Sequence, residues 1–253
     1  MGNCRKTGTN GKQLMLMLRF YNFKTLSSTN DKAKELAKKG QSNLVVIAEK
    51  QKKGRGRFGR NWSSEPGGLY MTILLKEKNI DNLMYLTFIA AVSVAKTIKK
   101  LSKLDAKVKW PNDVLINDKK VCGILTETIC GNENYALVGI GANINQQKIN
   151  KSISNKAISL KIITNKDYNI KTMLKSTIRE FNNLYLHYKN KNYKKLINIW
   201  KKYSHTLGRN VKAKTLSGVY IGKAIDVDNN CNLILRLNNG KVKKIVEGDI
   251  FVV

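Results

Sequence analysis

Apolar positions in this chain fall mostly into short runs, broken in a few places by stretches where they recur at helical spacing. Strand-like runs occupy Asn43 to Glu49, Leu69 to Leu75, Lys107 to Trp110, Val114 to Ile116, Val121 to Glu127 and Tyr135 to Ile140. An earlier run offers Phe20, Phe23 and Leu26 as inward positions and ends at SSTND. Behind it, Ala33, Leu36 and Ala37 predict a helix that stops at Gly40, with Ser28, Thr29 or Asn30 as its N-cap. Leu83, Leu86, Ile89, Ala90, Val94 and Ile98 share one face of a long helix from about Asn82 to Leu104, and two more helices follow between about Asn169 and Lys202. Met173, Leu174, Ile178, Phe181 and Leu184 are core positions of the first, Leu196, Ile197 and Trp200 of the second.

The pattern shifts at Gly208. From Val211 to the end the chain reads as four or five short strands with turns at Gly218, Asp228 to Asn230, Asn238 to Gly240 and Gly248, a small SH3-like β-barrel. Runs of strands broken by isolated helices predict an α+β fold with one main sheet rather than strict βαβ alternation. The expected division is a basic tail over 1–18, a main domain over 19–206 and the barrel over 207–253.

Charge changes this picture in one respect. With 47 Lys and Arg against 17 Asp and Glu, the formal net charge is +30, a field that attracts nucleic acid, anionic membranes or acidic proteins. The lysines are dispersed along the chain and rise together with Asn and Ile, so coding bias is the simpler reading, although a basic nucleic-acid-binding protein stays open as an alternative. Four cysteines stand far apart with no CxxC pair, which suggests neither a zinc site nor a disulfide framework. No segment has the length of a membrane span, and the run Leu14 to Leu18 is too short for a signal-peptide core. We expect a cytoplasmic protein; an organelle leader in the basic first residues stays open.

Two strings carry candidate chemistry. GRGRFGR, Gly54 to Arg60, sets three arginines among three glycines directly after a strand. Glycine lets backbone approach a ligand and each guanidinium offers a rigid fork of donors, so anions are the natural guests. The string also satisfies GxGxxG, but loop residues follow it where a dinucleotide site needs a helix, and Arg60 and Asn61 stand where a Walker A loop needs Lys and Ser or Thr. In KWPND, Lys109 to Asp113, Pro111 turns the chain off its strand and leaves Asn112 and Asp113 at the sheet end. KKVCGILTE places Lys120 at the start of a buried strand, and GIGANIN puts Gly139, Gly141 and Asn143 at a strand end.

Taken in order, SSTND, AEKQKKGRGRFGRNW, KWPNDVLI, KKVCGILTE and GIGANIN resemble the biotin protein ligases, over the chain from about Phe20 to Val253. Lipoate ligases are similar in fold but lack the GRGRFGR and KWPND pair, and a lipoate-type acyl ligase is the second alternative. The resemblance implies a mixed-sheet catalytic domain, the terminal barrel, and activation of biotin by ATP to biotinyl-AMP with Mg²⁺. Transfer to a lysine of an acidic biotin carboxyl carrier protein or domain would follow. It implies a biotin site at Ser28, Thr29, Asn30, Gln51, Arg55, Gly56, Arg57, Trp62, Lys120 and Gly123, and a nucleotide site at Arg55, Arg57, Arg60, Lys120, Gly141 and Asn143. Lys120, Arg55, Arg57 and Asp113 would be catalytic, with no protein metal ligands. Too few residues precede the first strand for the winged helix of repressor members, so the short form without specific DNA binding is expected, as a monomer or weak homodimer.

Overall fold

A computed structural model describes residues 16–253. The predicted tail, with Cys4, lies largely outside these residues, but Leu16 and Leu18 pack against the core. Among the described residues twelve strands make two sheets. The larger contains β1 (Arg19–Leu26), β2 (Leu44–Gln51), β3 (Leu69–Lys76), β4 (Lys107–Lys109), β5 (Asp113–Ile116), β6 (Lys119–Ile129) and β7 (Tyr135–Ala142), in the order β1-β2-β3-β7-β6-β5-β4. β1 and β2 pair parallel and every other neighbour pairs antiparallel, so the sheet is mixed. The smaller sheet is antiparallel, in the order β11-β10-β9-β8-β12, from β8 (Asn210–Thr215), β9 (Gly218–Val227), β10 (Leu233–Leu237), β11 (Val242–Ile245) and β12 (Asp249–Val252).

Strand alternation sends the two faces of the main sheet to different partners. Val45, Met71, Ile73, Ala136 and Val138 point into the large core beneath α2 (Met84–Ser102), α4 (Ile170–Lys189) and α5 (Tyr193–Tyr203). Leu44, Val46, Leu74, Tyr135 and Leu137 point the other way, under the short helix α1 (Thr29–Lys38). α2 is buried almost all round from Tyr85 to Ile98, between sheet and outer helices, which is why its apolar stripe is wider than one face. Ser28 is the cap of α1, accepting from Asn30 N at 3.2 Å. No helix among the described residues is long and apolar enough to cross a membrane.

One expectation needs correction, and one element was not foreseen. Phe20 is exposed and Tyr21 and Phe23 pack inward, because strand period puts 21 and 23 on one face and 20 on the other; Leu26, the last residue of β1, packs against the same cluster. A further short helix, α3 (Leu160–Thr164), is capped by Ser159 in a stretch whose few apolar residues give no helical stripe.

The barrel is fastened to the main sheet by KWPND. Trp110 is fully buried; its Nε1 donates to the Cys231 carbonyl at 2.9 Å and its backbone N–H to Thr206 Oγ1 at 2.9 Å. The Trp110–Pro111 peptide is cis. Tyr85 Oη donates to the Asn229 carbonyl at 2.6 Å from the α2 side. Replacing the indole strands a buried carbonyl as well as removing volume, so Trp110→Phe is expected to cost about 2–4 kcal/mol, read as a lower urea midpoint with an unchanged m-value.

Candidate active site

On the α1 face of the sheet, the helix covers only part of β7. Tyr135 and Leu137 lie beneath it, and the next two residues of the same parity are Gly139 and Gly141. Gly123 on β6 pairs with Gly141. A methyl at 141 would stand 2.6 Å from Trp62 Nε1, one at 123 would stand 3.1 Å from Lys120 Cε, and one at 139 would collide with Asn30 Oδ1. Glycine is required here by close approach, not by turn geometry. The three bare positions floor a cavity of about 530 Å³.

One end of the cavity is a polar corner at the start of α1. Gln51 Oε1 accepts from Thr29 N at 2.8 Å and from its hydroxyl at 3.1 Å, while Gln51 Nε2 donates to Ser64 Oγ at 2.8 Å. Asn30 Nδ2 donates to Glu127 at 2.5 Å, and its Oδ1 lies 2.5 Å from Thr72 Oγ1. Ser28, Thr29 and Asn30 are nearly inaccessible to solvent, so their hydrogen-bonding capacity points into the protein and the cavity.

The arginine string forms the opposite wall as a tight ribbon. Trp62 N donates to the Gly54 carbonyl at 2.8 Å and Gly56 N to the Arg60 carbonyl at 2.7 Å, and the tip reverses at Phe58 (φ 55°) and Gly59 (φ 68°). Its three guanidinium groups have different partners. Arg55 meets Asp31 at 2.6 Å and Glu127 at 3.1 Å, anchoring the ribbon to α1 and β6. Arg60 meets Asp249 of the barrel at 2.7 Å. Among the described residues Arg57 donates to neutral oxygens, Asn112 Oδ1 at 3.4 Å and the Gly248 carbonyl at 3.3 Å, and burial pushes its pKa down.

Between these walls, Lys120 Nζ lies 2.7 Å from Asp113 Oδ1 and 5.1 Å from the Trp62 ring centroid. Its backbone is pinned on both sides, the N–H to the Lys156 carbonyl at 2.8 Å and the carbonyl from Ile158 N at 2.9 Å. The half-buried Trp62 indole lies over Gly141 with its Nε1–H buried and unpartnered among the described residues, a donor that a ligand can satisfy. Such a cavity binds a polar head at one end, an apolar body over glycines and aliphatic wall residues, and an anion at the cationic end.

The family models fit this layout. A model of the biotin/lipoate A/B protein ligase family matches residues 22–145, and one of the biotin protein ligase C-terminal domain matches residues 206–253. The bifunctional ligase/repressor BirA of Bacillus subtilis (strain 168) is 34% identical over 232 residues, which are 89% of this chain and 71% of that protein. The chain belongs to the biotin protein ligase family. It is an enzyme of the ligase class, and its relatives support biotin ligase function over the nucleic-acid and lipoate alternatives. The biotin–[acetyl-CoA-carboxylase] ligase of Paracoccus denitrificans is 34% identical over 121 residues, 47% of this chain and 50% of that one. Among solved structures, the biotin protein ligase from Aquifex aeolicus in complex with biotin and ATP superposes with a TM-score of 0.83 at 30% identity, covering 93% of this chain and 98% of that chain.

In the ligase, the cavity lining includes Ser28, Thr29, Asn30, Gln51, Arg55, Gly56, Arg57, Arg60, Trp62, Asp113, Lys120, Gly123 and Gly141. Asn143 is the exception among the sequence-derived positions: it is buried outside the lining, and its Nδ2 donates to the Ile158 carbonyl at 3.2 Å, tying the segment after β7 to the sheet. Sequence reading passed over Asp31, Thr72, Glu127, Lys109 and Asp249, which sit among the site groups or pair with them. Lys109 opens KWPND, Asp31 closes SSTND and Glu127 closes KKVCGILTE, whereas Thr72 and Asp249 lie in none of those strings. Adding a methyl to the floor displaces the indole, so Gly141→Ala is expected to weaken ligand binding at least about tenfold and to shift tryptophan emission, measured by fluorescence titration.

Proposed function

We propose that this ligase joins biotin to AMP in its glycine-floored cavity and then passes the biotinyl group to a lysine of a carboxylase carrier domain. The observation that supports this most is the meeting of Lys120 and Arg57 in one cavity with the Thr29, Asn30 and Gln51 corner. The Aquifex aeolicus ligase is described with biotin and ATP, and the Paracoccus denitrificans relative by its action on acetyl-CoA carboxylase.

In this reading the polar corner receives the ureido head, whose N–H and C=O groups need both acceptors and donors, as Gln51, Thr29 and Asn30 provide. The acid end then extends over Gly123 and Gly141 toward Lys120. A carboxylate oxygen attacks the α-phosphorus, and both partners are anionic, so the barrier falls where fixed cations meet the accumulating charge. Lys120 bridges the carboxylate and the α-phosphate; Arg57 adds a second cation, and Arg55 holds the ribbon in place through Asp31 and Glu127. Turning Lys120 toward the substrates releases Asp113, which then orients the incoming amine and accepts its proton; the amine nitrogen bonds to the acyl carbon, the acyl carbon–oxygen bond breaks, and AMP leaves with that electron pair. The ribbon covers the mixed anhydride and limits its hydrolysis.

Mg²⁺ fits this cavity as a companion of the nucleotide. Among the described residues no three His, Cys, Asp or Glu side chains gather to hold a metal, and the cavity carboxylates Asp113 and Asp249 already face cations. Polyphosphate oxygens and water would therefore supply most of its ligands, and its charge would lower the repulsion between carboxylate and phosphate. The formal +30 favours an acidic acceptor through long-range attraction.

Biotin-dependent exchange of radiolabel between pyrophosphate and ATP tests the first half-reaction. The expected result is exchange with biotin and none with lipoate. Lys120→Ala is expected to lower the exchange rate by at least about 10²; a near-normal rate would remove Lys120 from the chemistry.

A further inference from the structure

The connector from α5 to the barrel, residues 204–209, runs beside β4, the edge strand of the main sheet. Ser204 bridges Val108 in parallel, His205 N donates to the Val108 carbonyl at 2.8 Å, and Thr206 Oγ1 takes the Trp110 N–H at 2.9 Å. From this fixed backbone the buried His205 ring meets the Asp118 carboxylate through Nε2, and Arg209 of the same connector reaches that carboxylate at 3.4 Å. His205 Nδ1 is buried with no partner among the described residues. Burial holds the imidazole pKa below its usual value, with Arg209 and Lys109 adding to the effect and Asp118 opposing it. At neutral pH the ring therefore carries one hydrogen, and an acceptor meets it only at Nε2, so the hydrogen sits there and is donated to Asp118.

What this hydrogen bond holds is the turn before Lys120. Asn117 (φ 48°) and Asp118 (φ 61°) are the two residues that join β5 to β6, and Lys120 follows two positions later, opposite Leu115. The register of that pair shifts between Val114 and Leu115, so the ladder is interrupted just before the turn and does not by itself fix where the chain re-enters the sheet. Both turn residues are exposed, so core packing does not hold them either. We propose that His205 is a positioning residue for adenylation: from the interdomain connector it grips the turn through Asp118 and so sets where the Lys120 ammonium meets the reacting groups. This rests on the adenylation reading and extends it to a residue that does not line the cavity. In a step that joins two anions over one ammonium, a displacement of about 1 Å costs up to about a hundredfold in rate. Lys120 is also held by the Lys156 carbonyl and by Ile158 N, so loss of the His205 restraint alone costs less than that. The barrel thus influences the chemistry through its tether as well as through Asp249.

The test is steady-state exchange with the full chain, each variant assayed at a temperature where urea titration shows it folded. His205→Asn puts its amide nitrogen where Nδ1 stood and finds no acceptor; it is expected to lower kcat about tenfold with the KM for ATP and for biotin within about twofold of the parent. His205→Gln, whose amide nitrogen reaches the Nε2 position, should keep kcat within about twofold of the parent. Asp118→Gly removes the carboxylate and leaves an Asn-Gly pair, the sequence such turns favour, so the turn itself is kept. It should match the loss in His205→Asn, and the double variant should fall no further than either alone. Because it changes an exposed turn residue, Asp118→Gly carries the test should His205→Asn fail to fold. In long-range proton–nitrogen NMR spectra at neutral pH, His205 should show the neutral ring with its hydrogen on Nε2. The chain's other histidine is identified by His187→Gln, which should leave every kinetic constant unchanged. A parent-like kcat in Asp118→Gly, additive losses in the double variant, a loss confined to KM, or a ring hydrogen on Nδ1 would overturn the proposal. These failures leave the adenylation reading intact, whereas a parent chain with no biotin-dependent exchange sinks that reading and the role of His205 with it.

Discussion

The site depends on room left open on one face of two central strands. β6 and β7 lie in the middle of the main sheet, where a side chain on either face normally packs against a helix. On the α1 face the helix is only ten residues long, and where its cover ends the strand residues shrink to Gly123, Gly139 and Gly141. Asn30, Trp62 and Lys120 occupy the space a methyl would need. Backbone hydrogen bonds hold the floor rigid because both strands are paired along their length, so the groups above it are positioned against a surface that does not yield.

Around this floor the charges are divided by partner rather than by sign alone. Arg55 is neutralised by Asp31 and Glu127 and serves as an anchor for the ribbon, while Arg60 ties the ribbon to Asp249 of the barrel. The exposed members of these pairs contribute little to stability, since solvent screens them. Their effect is geometric: the ribbon carrying Arg57 is held between two bodies, with its tip on Gly248 and its base on Gln51 and Ser64. The barrel thereby borders the chemistry, even though its own core of Val211, Ala213, Leu233 and Leu235 has no part in it.

The fold was largely legible from hydrophobic spacing, because strand and helix periods are local properties of the chain. Those same periods misplaced Phe20, where a spacing of three was read across a strand, and passed over α3, a single capped turn too short for a stripe. Site residues were legible where the chemistry is written as a string: glycines among arginines, a proline between Trp110 and Asn112, a lysine entering a buried strand. Thr72 lies in no such string, and Asp31 and Glu127 only close theirs, SSTND and KKVCGILTE, with no chemistry legible from that position. They matter because tertiary contact places them against Asn30 and Arg55, nearly a hundred residues away in the case of Glu127.

Residue order alone therefore determined the elements, the two sheets' separate stretches of chain and which strings hold candidate groups, since each follows from neighbours within one helix turn or one strand. It could not decide which cation is spent on a carboxylate and which remains for a ligand. Asp113 lies opposite Lys109 yet pairs with Lys120, Asp249 arrives from the far end of the chain to take Arg60, and Asn143 is drawn away to the Ile158 carbonyl. Charge pairing depends on distance through space, which falls off over a few ångströms and is set only when the strands are in register.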